Sequence, residues 1–267
     1  MLDSVRLYWR YVMLSLRSQM QYRASFVMLS FGHFVITGLE FLGILVLFER
    51  FGSLRGWTLP EVALFYGIVS LAFALAEAFA RGFDTFPGMV KSGDFDRLLV
   101  RPRTTVLQLA ARELQLMRIG RFLQGLIVLA YATMALDVVW TPGRIVLLLA
   151  AMVGGACLFA GLFVLQATLA FWTIDGLEVM NTVTYGGVET AQFPITIYRP
   201  WFRRIFTVIV PLACINYFPA MAILGRDDPL GTSVVFHWLS PLVGVVFLLA
   251  TFQVWRFGVR HYRSTGS

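Results

Sequence analysis

From residue 145 to residue 172 the chain runs 28 positions without one charged side chain. At 1.5 Å of rise per residue a helix of that length measures roughly 42 Å, longer than the ~30 Å hydrocarbon core of a bilayer. A water-soluble fold has no interior able to hide such a cylinder. The rest of the chain agrees: 58% of its 267 residues are hydrophobic, and 22 basic and 15 acidic side chains are gathered into patches that leave whole windows empty. Mean hydropathy is +0.74. Soluble domains carry about 25% charged residues, against 14% here. A soluble protein is therefore excluded, and the length leaves room for about six or seven membrane spans. Cys157 and Cys214 sit in separate apolar stretches and imply no disulfide.

The all-α, polytopic reading places spans at 24–48, 61–80, 122–136, 145–172 and 233–255, with the third expected to begin as a helix near Thr105 and to keep its charged lower half in water or headgroups. Residues 173–230 admit two topologies. In one, 174–196 is the fifth span and 199–225 is a pair of short helices dipping back into the membrane. In the other, 203–225 crosses and 176–198 stays inside. Pro200, Pro211 and Pro219 favour a re-entrant hairpin, because non-helical backbone at membrane depth is tolerated where other protein covers it. Either way six spans result, in a single domain over residues 1–267.

Residues 3–22 fit an amphipathic helix, with Val5, Trp9, Val12 and Leu16 on one face and Arg6, Arg10 and Arg17 on its flank. This 1–23 segment is expected to lie in the membrane interface, arginines reaching lipid phosphates, and no removable leader is expected. Basic residues assign the orientation. The N-terminus holds four, residues 81–121 hold eight and the C-terminal tail (Arg256, Arg260, Arg263) holds three, against seven on the other side in the first topology. The richer side, with both termini, is cytoplasmic by the positive-inside rule. The second topology sharpens the ratio to 18 against four, so charge alone mildly favours it.

Catalytic signatures are missing. The only lysine lies in Gly88-Met89-Val90-Lys91-Ser92, which lacks the second glycine of a phosphate-binding loop, and His33, His237 and His261 have no metal-ligand spacing. No enzyme activity, metal, cofactor or nucleic-acid partner is expected on this chain. The informative stretch is cytoplasmic, within 81–104: Gly93, Asp94, Phe95, Asp96, Arg97, Leu98, Leu99, Val100, Arg101 and Pro102. Ser92 or Asp94 can cap a short helix there, Phe95, Leu98 and Leu99 form an apolar face, Arg97 and Arg101 lie one turn apart, and Pro102 stops it. Such a helix offers hydrophobic knobs and charges to a soluble partner. Three intramembrane acids also stand out, because a charge at bilayer depth costs about 2.5–3.5 kcal/mol on insertion scales. Glu40, in mid-span, is expected to pair with Arg118 or Arg121, line a translocation path or face a partner, while Glu77 and Glu189, further candidates for such a path, lie nearer span ends, within reach of water.

The GDFDRLLVRP segment between spans two and three, the basic N-terminal helix, the six-span size and the late run Phe193-Pro194 … Arg199-Pro200-Trp201-Phe202-Arg203-Arg204 … Pro211-Leu212 … Tyr217-Phe218-Pro219-Ala220 … Leu224-Gly225 resemble the ABC-2-type permeases of bacterial ABC exporters. The resemblance covers nearly the whole chain. It implies that Gly93, Asp96, Leu99 and Pro102 belong to the region coupling the permease to its motor, and that 199–230 is a re-entrant extracytoplasmic segment before the last span. It implies further a permease pairing with a homologous or identical second permease and with two ATP-binding subunits that hold the ATP and Mg, in contact with membrane lipids in a bacterial inner membrane. A proton- or ion-coupled secondary transporter and a non-transporting scaffold are the alternatives.

Overall fold

The computed structural model of the chain describes residues 2–113, 115–173 and 177–262. Arg263, and the side chains of Arg6 and Trp9, lie outside them. The described residues are helical, running α1 (Leu2–Gln21), α2 (Arg23–Phe51), α3 (Leu59–Asp84), α4 (Phe86–Lys91), α5 (Asp94–Leu99), α6 (Thr105–Ala110), α7 (Ile119–Ala135), α8 (Pro142–Leu169), α9 (Leu177–Ala191), α10 (Pro200–Arg204), α11 (Tyr217–Leu224), α12 (Val234–Leu239) and α13 (Leu242–His261).

Four of these, α2, α3, α8 and α13, are long and apolar enough to cross a bilayer. The segments Pro200–Ile209 and Leu212–Leu224 form a fifth unit of that kind, bent by 72°. The helices expected as third and fifth spans are shorter, 17 residues in α7 and 15 in α9. The chain is thus a polytopic helical membrane protein.

α3 is the hub. It starts at Thr58, whose backbone N–H and hydroxyl both donate to Glu61 Oε2 at 2.8 and 2.9 Å, with Pro60 in the first turn where its missing N–H costs nothing. Nearly every side chain from Glu61 to Ala76 is buried, with α7 against one flank and α8 against another. Beyond them α2 packs on α7 and α13 on α8. The α8–α13 crossing brings backbones together: a Cβ added to Gly244 would stand 2.0 Å from the Gly154 carbonyl oxygen, and one on Gly154 2.3 Å from that of Pro241. Small residues at such a crossing supply van der Waals contact that the lipid environment does not drive by itself.

Two expected boundaries move. The last apolar stretch, 233–255, is split at Ser240-Pro241 into α12 and α13, since proline has no N–H for the preceding turn. The third helix does not run on from Thr105, because α6 ends at Ala110 and α7 starts at Ile119.

The 196–226 segment has both ends at one end of the bundle. Trp57 Nε1 donates to Thr196 Oγ1 at 3.3 Å, while Arg226 pairs with Glu61 at 3.1 Å, donates to the Gly56 carbonyl and stacks over the Trp57 ring at 4.6 Å. Between those points Ile215 reaches Gly155 and Leu212 reaches Gly187. Pro211 stands at the bend, φ −75°. Pro200 starts α10 and Pro219 sits in the first turn of α11, positions a helix tolerates; Pro219 therefore does not break the segment as the sequence implied.

Candidate functional site

Charged side chains of α2 and α3 converge with those at the start of α7 on one inward-facing seam. On α3, Tyr66, Ser70, Phe73, Glu77, Arg81 and Asp84 recur at three- and four-residue steps and so form one stripe. α2 brings His33, Thr37 and Glu40, α7 brings Arg121 and Gln124, with Arg118 just ahead of it, and α9 brings Asn181 and Tyr185, each again at helical spacing.

Glu77 lies at the centre with a side chain only 1% exposed, and three guanidinium groups surround it: Arg118 at 3.1 Å, Arg121 at 3.5 Å and Arg81 at 3.8 Å. Arg81 also grips Asp84 at 2.5 Å and donates to the Tyr185 hydroxyl at 3.0 Å, tying α3 to α9. Gln166 of α8 donates to Asp84 at 3.1 Å and Asn181 at 2.9 Å. Arg118 stands 3.4 Å from His33 Nδ1, and Arg121 lies 3.8 Å from Glu40 and 5.1 Å above the Phe73 ring. Tyr66 donates to the Thr37 carbonyl at 2.9 Å and meets Gln124 at 3.3 Å. Three arginines are thus matched by three carboxylates. Tyr185, Gln166 and His33 add polar contacts to Arg81, Asp84 and Arg118, while Glu77 Oε2, Glu40 Oε2 and Arg81 Nε are held by charge attraction, without a hydrogen bond of their own among the described residues.

The expected acids divide accordingly. Glu40 has the arginine partner foreseen for it. Glu77 does not reach water; it is the most enclosed acid of the network. Glu189 is exposed on α9, within electrostatic range of Glu40 and Arg121. The lower half of the third helix is not wholly in water either, because Arg118 and Arg121 turn inward with 16% and 13% of their side chains exposed. Removing Arg81, Arg118 and Arg121 from the basic count leaves 12 against seven, so the orientation rule gives the same answer.

At the 84–104 end a second assembly holds the short helix α5. Gly93, with φ +72°, is its N-cap, in place of the expected Ser92 or Asp94; the left-handed turn comes most readily to glycine. Ser92 Oγ instead donates to the Asp94 carboxylate at 2.9 Å, and Arg97 pairs with Asp94 at 3.2 Å. Phe95 is fully buried, its ring 4.9 Å from Phe86, 5.0 Å from Tyr262 and 5.6 Å from Phe171, with Trp255 inside the same socket at 6.3 Å. Leu98 is buried beside it. The apolar face expected to meet a partner is therefore split: Phe95 anchors α5 to α4, to Phe171 just past α8 and to the end of α13, Leu98 is buried, and Leu99, Val100, Arg97 and Arg101 stay exposed. Trp255 ties in the next segment by donating to Thr105 Oγ1 at 3.0 Å. The N-terminal helix lies alongside, with Val12 buried and Arg10 and Arg17 exposed, and with Tyr11 and Leu14 facing Asp94 and Arg101 across an open groove of about 600 Å³.

A third cluster, unforeseen from sequence, closes the hairpin. Asp228 accepts from the Tyr217 hydroxyl at 2.8 Å, from Leu230 N–H at 3.0 Å, and from both the N–H and hydroxyl of Thr232, with His237 at 3.6 Å. Burial by itself would raise the Asp228 pKa; the donated hydrogen bonds outweigh it and hold the carboxyl below its ordinary value. Among the described residues no group of three or more His, Cys, Asp or Glu is placed to hold a metal ion.

A many-helix membrane bundle with a buried ionic seam and a short helix socketed among aromatic rings suits the membrane component of a transporter. Residues 34–266 match the family described as ABC-2 family transporter protein, and the chain belongs to that family. It is accordingly a multi-pass membrane permease of an ABC transporter, a class that works with an ATP-binding subunit. No curated protein and no solved structure matches the chain.

Proposed function

We propose that this chain is the permease half of an ATP-driven exporter in a bacterial inner membrane, with both termini and α5 cytoplasmic. A second permease, identical or homologous, faces it across the α2–α7–α9 side, so that Glu40, Arg121 and Glu189 border the path between the halves. Two ATP-binding subunits, carrying the ATP and Mg, dock at the 84–104 end; this chain contributes binding surface and motion, not hydrolysis. The re-entrant topology for 199–230 is supported by the two ends of that segment meeting the same loop, residues 52–58. α1 lies in the interface with Arg10 and Arg17 toward lipid phosphates.

The observation that carries this reading is the split of α5. Anchored through Phe95 and exposed through Arg97, Leu99, Val100 and Arg101, the helix transmits a push from a soluble partner into α13 and the C-terminal end of α8 instead of absorbing it. Charge reversal at Arg97 and Arg101 tests it. Co-purification of the ATP-binding subunit is expected to be lost while the bundle keeps its melting temperature; undiminished co-purification contradicts the assignment. A proton relay through Glu40 is less well supported, since that carboxylate already has an arginine within 4 Å.

A further inference from the structure

Across α3 from the ionic seam, α3, α6, α8 and α13 enclose an apolar groove of about 680 Å³. Leu75, Phe79 and Phe83 line it from α3, Ala156 and Ala160 from α8, and Phe252 from α13; among the described residues polar side-chain atoms enter through Tyr8, Thr104 and Cys157. From Val153 to Val164 it follows α8 for roughly 16 Å, about half the hydrocarbon thickness and so the depth of one leaflet. At the 84–104 end it adjoins a second cavity of about 450 Å³, with Thr104, Val106 and Phe252 common to both. That cavity is bordered by Arg256 and Arg260, exposed and one helical turn apart, and among the described residues no carboxylate lines either space.

We propose that the groove holds an acyl chain of an anionic phospholipid from the leaflet at the 84–104 end, with the headgroup phosphate on Arg256 and Arg260. A dry groove of one-leaflet depth offers nothing to the polar backbone of a peptide, and it suits a single hydrocarbon tail. Two guanidinium groups in a cavity that the described residues line without a carboxylate select a negative headgroup. The lipid would wedge between α6 and α13 beside the Trp255–Thr105 hydrogen bond, bracing the segment that leads out of α5. This assignment needs only the membrane location of the chain and stands apart from the identity of its partners.

Native mass spectrometry of the full chain, purified with whatever subunits accompany it and supplied with phosphatidylglycerol or phosphatidylcholine of identical acyl chains, tests the site. Phosphatidylglycerol is expected to be retained about 25-fold more strongly, roughly fivefold for each arginine. Arg256→Gln with Arg260→Gln should bring the two lipids level without removing either, and Ala160→Trp should remove both. If the tryptophan variant does not fold, Ala156→Phe replaces it, and the arginine pair reads the headgroup independently. Equal retention of the two lipids by the unaltered protein, or undiminished retention by the groove-filling variant, would overturn the proposal. So would displacement of phosphatidylglycerol by millimolar glycerophosphate, which would leave a headgroup site alone, or a dimer that Ala160→Trp splits into monomers, which would put a second copy in the groove.

Discussion

One helix builds two opposite environments. The α3 stripe Tyr66-Ser70-Phe73-Glu77-Arg81-Asp84 carries the ionic seam, and the positions half a turn away, Leu75, Phe79 and Phe83, line the apolar groove. The seam is closed by specific partners on α2, α7, α8 and α9, so each group there depends on several others. Phe79, by contrast, is 48% exposed and has no fixed partner to lose. The seam accordingly sets how the helices sit together, whereas the groove tolerates change and admits whatever apolar matter fills it.

The contrast breaks first at Glu77. Glu77→Leu leaves Arg118 without a carboxylate and takes one partner each from Arg81 and Arg121, and is expected to destabilise the bundle by about 3–5 kcal/mol, against less than about 1.5 kcal/mol for Phe79→Leu, read as thermal unfolding in detergent. Comparable losses for the two would show that the seam is not the organising contact. Next comes the aromatic socket, where Phe95→Ala should cost about 3 kcal/mol, because it empties a fully buried site among Phe86, Phe171, Trp255 and Tyr262. Leu98→Glu should act in the same direction, through folding and not through partner binding alone. Glu40→Gln, at the exposed edge of the seam with its arginine 3.8 Å away, should change stability by less than about 1 kcal/mol and leave ATP-driven transport largely intact. Loss of transport together with its pH dependence would favour a proton relay instead.

The smallest effect concerns Asp228. Its folded-state pKa is depressed, so its stabilising contribution is complete above the ordinary value of 3.8 and fades as pH falls through the lower folded value. The melting temperatures of the unaltered protein and Asp228→Asn should differ at neutral pH and converge below about pH 3.8. A constant gap across that range would place the hairpin clasp elsewhere.

Much of this was legible from the residues. Long charge-free runs have one physical solution in a bilayer, so the long apolar helices of the bundle were foreseen, and an acid in mid-span pointed, among other roles for Glu40, to a pair with Arg118 or Arg121, of which the structure has Arg121. What stayed hidden depended on facing. Glu77 is near the end of an apolar run, which reads as access to water, yet the arginines that enclose it come from 118 and 121, a separation local periodicity cannot convey. Phe95 and Leu98 look like an exposed sticky face because the rings that cover Phe95, those of Phe171, Trp255 and Tyr262, lie some 75 to 170 positions away. The Asp228 clasp needed a tight loop geometry that composition does not encode. Prolines misled once: Pro219 falls in a first turn and is harmless there, while Pro211 marks the bend.

The central claim is that a permease with a socketed α5 is driven by a separate ATP-binding subunit at its 84–104 end. Site-specific photocrosslinking reads it directly: a crosslinking amino acid replaces Val100, which is 84% exposed, or Phe79 as the membrane-facing comparison, in the intact complex in native membranes. The Val100 position is expected to capture an ATP-binding protein, with a yield that changes between nucleotide-free and Mg-ATP conditions, and the Phe79 position to capture lipid. Failure of the Val100 position to capture any ATP-binding protein, with the complex otherwise intact, would contradict the account.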